Sequence, residues 1–201
     1  MSHYLYIDTT KNLTLGLLSS EEGWVSRIVH KDVKSSELLH SEIHEMCIDK
    51  GISLKTLSGV LYAAGPGSYT GMRVSEGLAQ VFNWQGIPIF GFYHFELPKL
   101  FGESEGVWIS QAFKGEYFAF NWNDQGETKK LFRKDDLVEY LKKFPNIYTH
   151  HHEETELANM FTCELIEKQW DKLLSTVVSD NMRREPYYYR TLEEEFVPSS
   201  K

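Results

Sequence analysis

Gly59-Val60-Leu61-Tyr62-Ala63-Ala64-Gly65-Pro66-Gly67-Ser68-Tyr69-Thr70-Gly71-Met72-Arg73 is the stretch that decides how the chain is read. It opens on a run of small and branched apolar residues, long enough for a buried strand and too short for a helix. Glycines at 65, 67 and 71 follow, and beyond them Val74, Leu78, Val81 and Phe82 recur at helical spacing as far as Gly86. The local order is strand, glycine-rich turn, helix. Closely spaced glycines at a strand end let the backbone turn sharply and let another group approach the amides of a helix N-terminus. A phosphate is one such group and a tightly packed neighbour is another; composition leaves both open. The spacing Gly65-x-Gly67-x-x-x-Gly71 is not the Gly-x-Gly-x-x-Gly of dinucleotide folds, and no Lys-Ser or Lys-Thr follows to make a P-loop.

Upstream, Tyr4-Leu5-Tyr6-Ile7 and residues 12–18 read as strands joined by a short turn at Thr9-Thr10-Lys11, and residues 24–29 complete a meander after Glu21-Glu22-Gly23. From Ser36 the period changes. Leu39, Ile43, Met46 and Cys47 lie on one face of a helix that ends near Gly51. Downstream of Gly86, Ile87-Pro88-Ile89-Phe90-Gly91 reads as another strand. The order β-β-β-α-β-α predicts a mixed sheet with helices packed on it, which is the unit of the ribonuclease H-like fold. In the second half, residues 106–111 and 116–122 suggest a hairpin, and residues 134–143 and 164–174 suggest helices. We therefore expect an α/β protein of two lobes: residues 1–100, and a smaller, divergent lobe over residues 101–201 with a loose acidic tail at Glu193-Glu194-Glu195.

The 201 residues and 41% hydrophobic content are enough for a core in either lobe. No stretch approaches the roughly 18 uninterrupted apolar residues of a membrane span, and Met1-Ser2-His3-Tyr4-Leu5 does not read as a signal peptide. Cys47 and Cys163 stand far apart without metal-site spacing. These features predict a cytoplasmic protein. A formal charge of −8 argues against holding a polyanion unaided, so contact with RNA would require a basic partner. Arg183, Arg184 and Arg190 surround Tyr187, Tyr188 and Tyr189, and a docked terminal segment is the favoured reading over an RNA-stacking platform.

The glycine turn from Gly65 to Arg73, with Asp8-Thr9-Thr10 at the end of the first strand and Pro186-Tyr187-Tyr188-Tyr189-Arg190 near the C-terminus, resembles the TsaB (YeaZ) family. The resemblance is strong over about the first half of the chain. It implies membership of the ribonuclease H-like superfamily of actin, sugar kinases and Hsp70. It further implies a non-catalytic role beside a paralogue, TsaD, which makes threonylcarbamoyladenosine next to the anticodon of tRNAs that read codons beginning with A. A TsaE-like ATPase, tRNA reached only through the complex, a homodimer when the chain is alone, no cofactor and no membrane are the remaining expectations.

In the catalytic paralogues the strand after the glycine-turn helix runs into a metal-binding His-x-x-x-His pair, whereas this chain reads His94-Phe95-Glu96-Leu97-Pro98. Proline offers no ligand and would disturb a helix carrying both positions. A second His-x-x-x-His, at His40 and His44, lies in the wrong element and reads as solvated or interface histidines; His150-His151-His152 reads as a polar loop. Asp8 is the remaining candidate for chemistry, since an acid at the end of the first strand manages metal and water beside a phosphate in that superfamily. An Asp that closes a hairpin is equally natural there. Asp8, Gly65, Gly67, Ser68, Thr70 and Gly71 thus make a candidate vestigial phosphate site. The rival reading is a stand-alone kinase or ATPase using these same residues.

On the helix after the turn, Gly71, Ser75 and Ala79 form a ridge of small side chains beside the large apolar face, fit for close packing on another helix. The family resemblance carries partner binding to the first two helices, and so to Leu39, Ile43, Arg73 and Ser75. One departure concerns the second lobe, where Gln111-Ala112-Phe113-Lys114-Gly115-Glu116-Tyr117 replaces the Asp-Ala-Arg and Gly-Glu-Val-Tyr segments common in that family.

Overall fold

The structure is a computed structural model and describes residues 1–112, 115–151 and 155–189. Phe113, Lys114, His152, Arg190 and the acidic tail lie outside the described residues.

The first sheet is built as the hydrophobic pattern requires. β1 (His3–Asp8), β2 (Leu13–Ser19) and β3 (Gly23–His30) form an antiparallel meander. Helix α1 (Ser35–Asp49) crosses to β4 (Gly59–Ala63), which pairs parallel to β1, and α2 (Tyr69–Trp84) crosses to β5 (Ile89–Phe92), parallel to β4. The sheet order is β3-β2-β1-β4-β5. Alternate residues of each strand serve opposite faces. Leu5, Ile7, Leu15, Leu17, Val60 and Tyr62 meet Leu39, Ile43 and Met46 of α1 and Ala79 and Phe82 of α2. Tyr6, Leu18, Leu61, Ala63 and Phe92 meet Leu97 and the C-terminal helices.

After the short helix α3 (Leu97–Leu100) the chain builds a second sheet from β6 (Gly106–Gln111), β7 (Glu116–Asn123), β8 (Gly126–Arg133), β9 (Ile147–Thr149) and β10 (Met160–Phe161). Its order, β10-β9-β6-β7-β8, repeats the first sheet: a meander whose first strand pairs parallel with the fourth, and the fourth with the fifth. The fold is therefore ribonuclease H-like in both halves. The reduction lies in the crossovers. Helix α4 (Lys134–Leu141) has 8 residues against 15 in α1, and the described residues between β9 and β10 form turns.

The second half is not confined to its own lobe. Helices α5 (Thr162–Lys168) and α6 (Trp170–Leu173) and the π-helical turn Leu174–Val178 return to the first sheet, burying Ile166, Leu173 and Val177 against Tyr6, Leu61 and Phe92. The helix expected over residues 164–174 is interrupted at Gln169, whose φ and ψ of −121° and 44° are not helical.

Helix α2 turns its ridge of small side chains toward the sheet, and part of its large apolar face with it. Gly71, Met72, Ser75, Ala79 and Phe82 are its buried residues, and Val81 is 46% exposed. The ridge of small side chains faces the sheet because the helix starts almost in contact with the β1–β2 turn, and only small residues fit that gap. Among the described residues no helix is long and apolar enough to cross a membrane.

Candidate functional site

The glycine turn begins where β4 ends. Gly65 has φ +113° and the Gly65–Pro66 bond is cis. Ser68 caps α2, accepting from the Gly71 amide at 3.2 Å, while the Ser68 amide donates to the Thr10 carbonyl at 2.7 Å. Thr9 Oγ1 donates to the Gly71 carbonyl at 2.6 Å. A Cβ on Gly67 would stand 2.7 Å from Thr10 Cβ and 2.8 Å from its carbonyl carbon, and one on Gly71 would stand 3.0 Å from the Thr9 carbonyl carbon. The space that the glycines provide is filled by the chain's own Thr9 and Thr10. Of the two readings the sequence leaves open, the geometry has the form of a tight packing corner.

Asp8 lies behind that corner and is 4% exposed. Its Oδ1 accepts from the Thr10 amide at 2.9 Å and the Thr10 hydroxyl at 2.6 Å; its Oδ2 accepts from Tyr6 at 3.3 Å and lies 2.9 Å from His94 Nε2. His94 is fully buried, and its Nδ1 lies 3.1 Å from Thr162 Oγ1. Thr162 spends its one hydroxyl proton on the Thr149 carbonyl at 3.1 Å, so toward His94 it accepts. Nδ1 must then carry a proton, and with Asp8 ionised Nε2 carries one too: the pair is an imidazolium facing a carboxylate. Burial pushes the Asp8 carboxyl up. The His94 charge and the hydrogen bonds from His94 and Thr10 outweigh it and hold the group well below the usual carboxylate range. The chain Asp8–His94–Thr162–Thr149 joins the first sheet, the segment after β5, the start of α5 and the second sheet. His150 stacks edge-on against His94 and Trp108, with centroids 4.4 and 4.8 Å away. His150 is 1% exposed, which corrects the polar-loop reading at that position: the second sheet carries it inward.

These residues do not fit the metal site of the catalytic paralogues. His94 faces Asp8 and Thr162 from a 3-10 turn, and Pro98 occupies the first turn of α3, where its missing N–H costs nothing. No single helix carries both positions, so proline at 98 is an absent ligand and not a helix breaker. Among the described residues no group of three His, Cys, Asp or Glu side chains is placed to hold a metal ion. His40 and His44 are exposed on α1.

A cavity of about 460 Å³ separates the glycine turn from the second lobe, lined by Lys11, Ser68, Tyr69, Gln111 and Tyr187–Tyr189. A second, of about 590 Å³, opens between α1 and α2 on the outer surface and is lined by His40, Ile43, Leu78, Val81 and Gln85. Trp84, 80% exposed, ends α2. The proposed contact residues divide. Leu39, Ile43 and Ser75 are 0%, 3% and 0% exposed, buried in the chain's own core, and Ser75 Oγ donates to the Met72 carbonyl at 3.1 Å. The apolar stripe of α1 and the small ridge of α2 pack on the first sheet, while Ile43 also borders the outer groove. Arg73 alone of the four is exposed; its guanidinium lies over the Tyr69 and Tyr188 rings at 5.3 and 5.6 Å, and its Nε donates to the Tyr188 hydroxyl at 2.6 Å. Thr162 and Trp84 were not singled out by sequence, and Val81 was read only as part of the apolar face of α2, whereas it is 46% exposed.

The two sheets, each a meander extended by two parallel strands, define a two-lobed protein with an actin-like, ribonuclease H-like fold. Residues 22–97 match the family model of TsaD, tRNA N6-adenosine threonylcarbamoyltransferase. The tRNA threonylcarbamoyladenosine biosynthesis protein TsaB of Buchnera aphidicola subsp. Schizaphis graminum is 29% identical over 115 residues, which is 50% of this chain and 54% of that protein. The match thus spans about half the length of that relative. Two structures from Pseudomonas aeruginosa, one of YeaZ and one of an uncharacterised protein with similarity to peptidase YeaZ, superpose with a TM-score of 0.63 each. They are 13% and 14% identical and cover 94% of this chain and all of their own, which establishes the common fold. The chain is thus similar in sequence to TsaB and to the TsaD family over part of its length, and it shares the YeaZ fold over nearly all of it.

Proposed function

We propose that the chain acts in the biosynthesis of threonylcarbamoyladenosine in tRNA as a non-catalytic subunit, binding and stabilising a TsaD-like paralogue that performs the transfer. The observation that carries this reading is the closure of the would-be reactive centre. Asp8 is saturated by His94, Thr10 and Tyr6, and the glycine corner is filled by Thr9 and Thr10. A carboxylate with every lone-pair direction occupied inside the protein is a structural element and not a base or a ligand. A TsaE-like ATPase and tRNA would be met through the complex, and a homodimer would cover the same surface when the paralogue is absent.

The contact surface we assign is the outer groove of α1 and α2, lined by Ile43, Leu78 and Val81, with the exposed Trp84 at the end of α2 as a further apolar anchor, in place of the buried Leu39 and Ser75. Exposed aromatic side chains next to an apolar groove have the composition of an interface hot spot. Titration of the TsaD-like paralogue into this chain tests it. Binding that weakens at least tenfold in Trp84→Asp, with the fold retained by circular dichroism, is expected; equal affinity of the two forms would refute the assigned surface, and no binding at all would refute the subunit reading. The 460 Å³ cavity favours one rival, a nucleotide-binding enzyme.

A further inference from the structure

The segment after the last helical turn crosses both lobes. The Gly91 amide donates to the Met182 carbonyl at 3.0 Å, and the Tyr187 amide donates to the Ala64 carbonyl at 2.8 Å, one residue before the glycine turn. Between these points the Tyr62 and Tyr93 hydroxyls donate to the Arg184 and Glu185 carbonyls at 2.7 and 2.8 Å. Three consecutive tyrosines then diverge. Tyr187 sits between Tyr93, Phe95 and Phe118, with ring centroids 5.1 to 5.5 Å away and the Lys129 ammonium 5.2 Å from its own ring. Tyr189 reaches the second sheet, its hydroxyl 2.6 Å from Ser110 Oγ. Tyr188 turns outward to Tyr69 and the exposed Arg73 of α2.

We propose that residues 182–189 are a strap that lines one side of the interlobe cleft with the chain's own tyrosines, and that the Arg73–Tyr188 clasp on α2 is the catch that holds it to the first lobe. The two ends differ in kind. At Met182 the strap is buried and bonded to β5, whereas the clasp is a single hydrogen bond and two ring contacts at the surface, formed by a guanidinium that a partner's carboxylate would bind better. Opening therefore starts at the Tyr188 clasp and, once the Tyr189 contact with Ser110 is also released, proceeds to Tyr187, baring the aromatic slot beside Phe95 and Phe118 while β5 stays paired. That a partner drives this opening rests on the subunit reading above; the strap itself is a property of the isolated chain.

Amide hydrogen exchange of the full chain, followed by NMR, tests both parts. In Arg73→Ala the Tyr187 amide is expected to lose about tenfold in protection, the order of one net hydrogen bond, while the Gly91 amide is unchanged. Tyr188→Phe, which keeps the ring and removes the hydroxyl, is expected to fall between Arg73→Ala and the parent. Unchanged Tyr187 protection in Arg73→Ala, or equal losses at Tyr187 and Gly91, would overturn the strap. With the TsaD-like paralogue bound, Tyr187 protection is expected to fall again. Binding without that fall would overturn the coupling and leave the subunit reading standing, and failure to bind would remove the subunit reading and leave the strap to the first result.

Discussion

Replacing Asp8 by Asn removes one charge from the buried pair with His94 and leaves its shape nearly unchanged. Asp8 and His94 are 4% and 0% exposed, so solvent cannot take over the lost partner's role. Removing one member of a buried, hydrogen-bonded ion pair costs about 3–5 kcal/mol, because the other charge is stranded. The amide also brings an N–H₂ donor to a site where four groups, the Thr10 amide and hydroxyl, Tyr6 and His94, all donate. Against a total stability of roughly 5–15 kcal/mol, this is a large share. In a chain of this size, each kcal/mol lowers the melting temperature by about 2–4 °C. The sign of the pH dependence follows from the direction of the Asp8 shift. Its folded value lies below the ordinary carboxylate value of about 3.9, so the contribution is complete above that value and is lost as pH falls toward the folded one. Urea unfolding followed by tryptophan fluorescence, at pH 7 and at pH 3, should show a gap between parent and Asp8→Asn that narrows on acidification. A cost below about 1 kcal/mol at neutral pH, or a gap as wide at pH 3 as at pH 7, would refute the proton count that makes His94 an imidazolium.

Gly71→Ala should destabilise by about 1–3 kcal/mol through overpacking against Thr9, whereas Gly77→Ala on the same helix, where an added Cβ meets nothing within 4 Å, should stabilise slightly; paired thermal melts check the contrast. Cys163, pushed up to about 11 by burial and then by Glu164, should stay a thiol at pH 8 and react with a disulfide reagent only on unfolding, as should Cys47, which burial also shifts upward. Val81→Asp should leave the monomer's melting temperature within about 2 °C of the parent, since the side chain is 46% exposed, yet weaken self-association measured by sedimentation.

The first sheet was legible because each of its elements carries its own signal. β4 is an unbroken apolar run, α1 and α2 show helical spacing, and glycines mark the ends. Of the second sheet only the β6–β7 hairpin was legible, for a physical reason. β8 is an exposed edge strand whose Thr128, Lys129 and Lys130 give no apolar alternation, and β9 and β10, at 3 and 2 residues, are shorter than any period can register. At the site, Asp8 could be picked out as an acid at a strand end and His94 as half of a lost metal motif. Their pairing, across 86 residues, is written in no local pattern, and neither is the approach of Thr162 from a further 68 residues away. The face of α2 was ambiguous for a different reason. A ridge of small residues suits a neighbouring helix and a close-lying sheet equally, and what decides between them is how near the β1–β2 turn comes to the helix start.

The size of the cleft does not decide between subunit and enzyme, since about 460 Å³ is ample for a nucleoside ligand. What decides is whether the groups that would hold phosphate and metal are at liberty. The Ser68 amide is committed to the Thr10 carbonyl and the Gly71 amide to Ser68 Oγ, so two of the donors at the start of α2 already have partners. Asp8, the acid that would place a divalent ion, is turned toward His94, and recruiting it would break the buried pair at a cost of about 3–5 kcal/mol. Set against an ordinary micromolar affinity of about −8 kcal/mol, that cost alone weakens binding by roughly two to four orders of magnitude, toward the millimolar range. Calorimetric titration of the free chain with ATP and Mg²⁺ is therefore expected to give no saturable heat below about 1 mM. Micromolar binding with turnover would mean that the Asp8–His94 pair opens at little cost, and it would carry the stand-alone enzyme reading in place of the subunit.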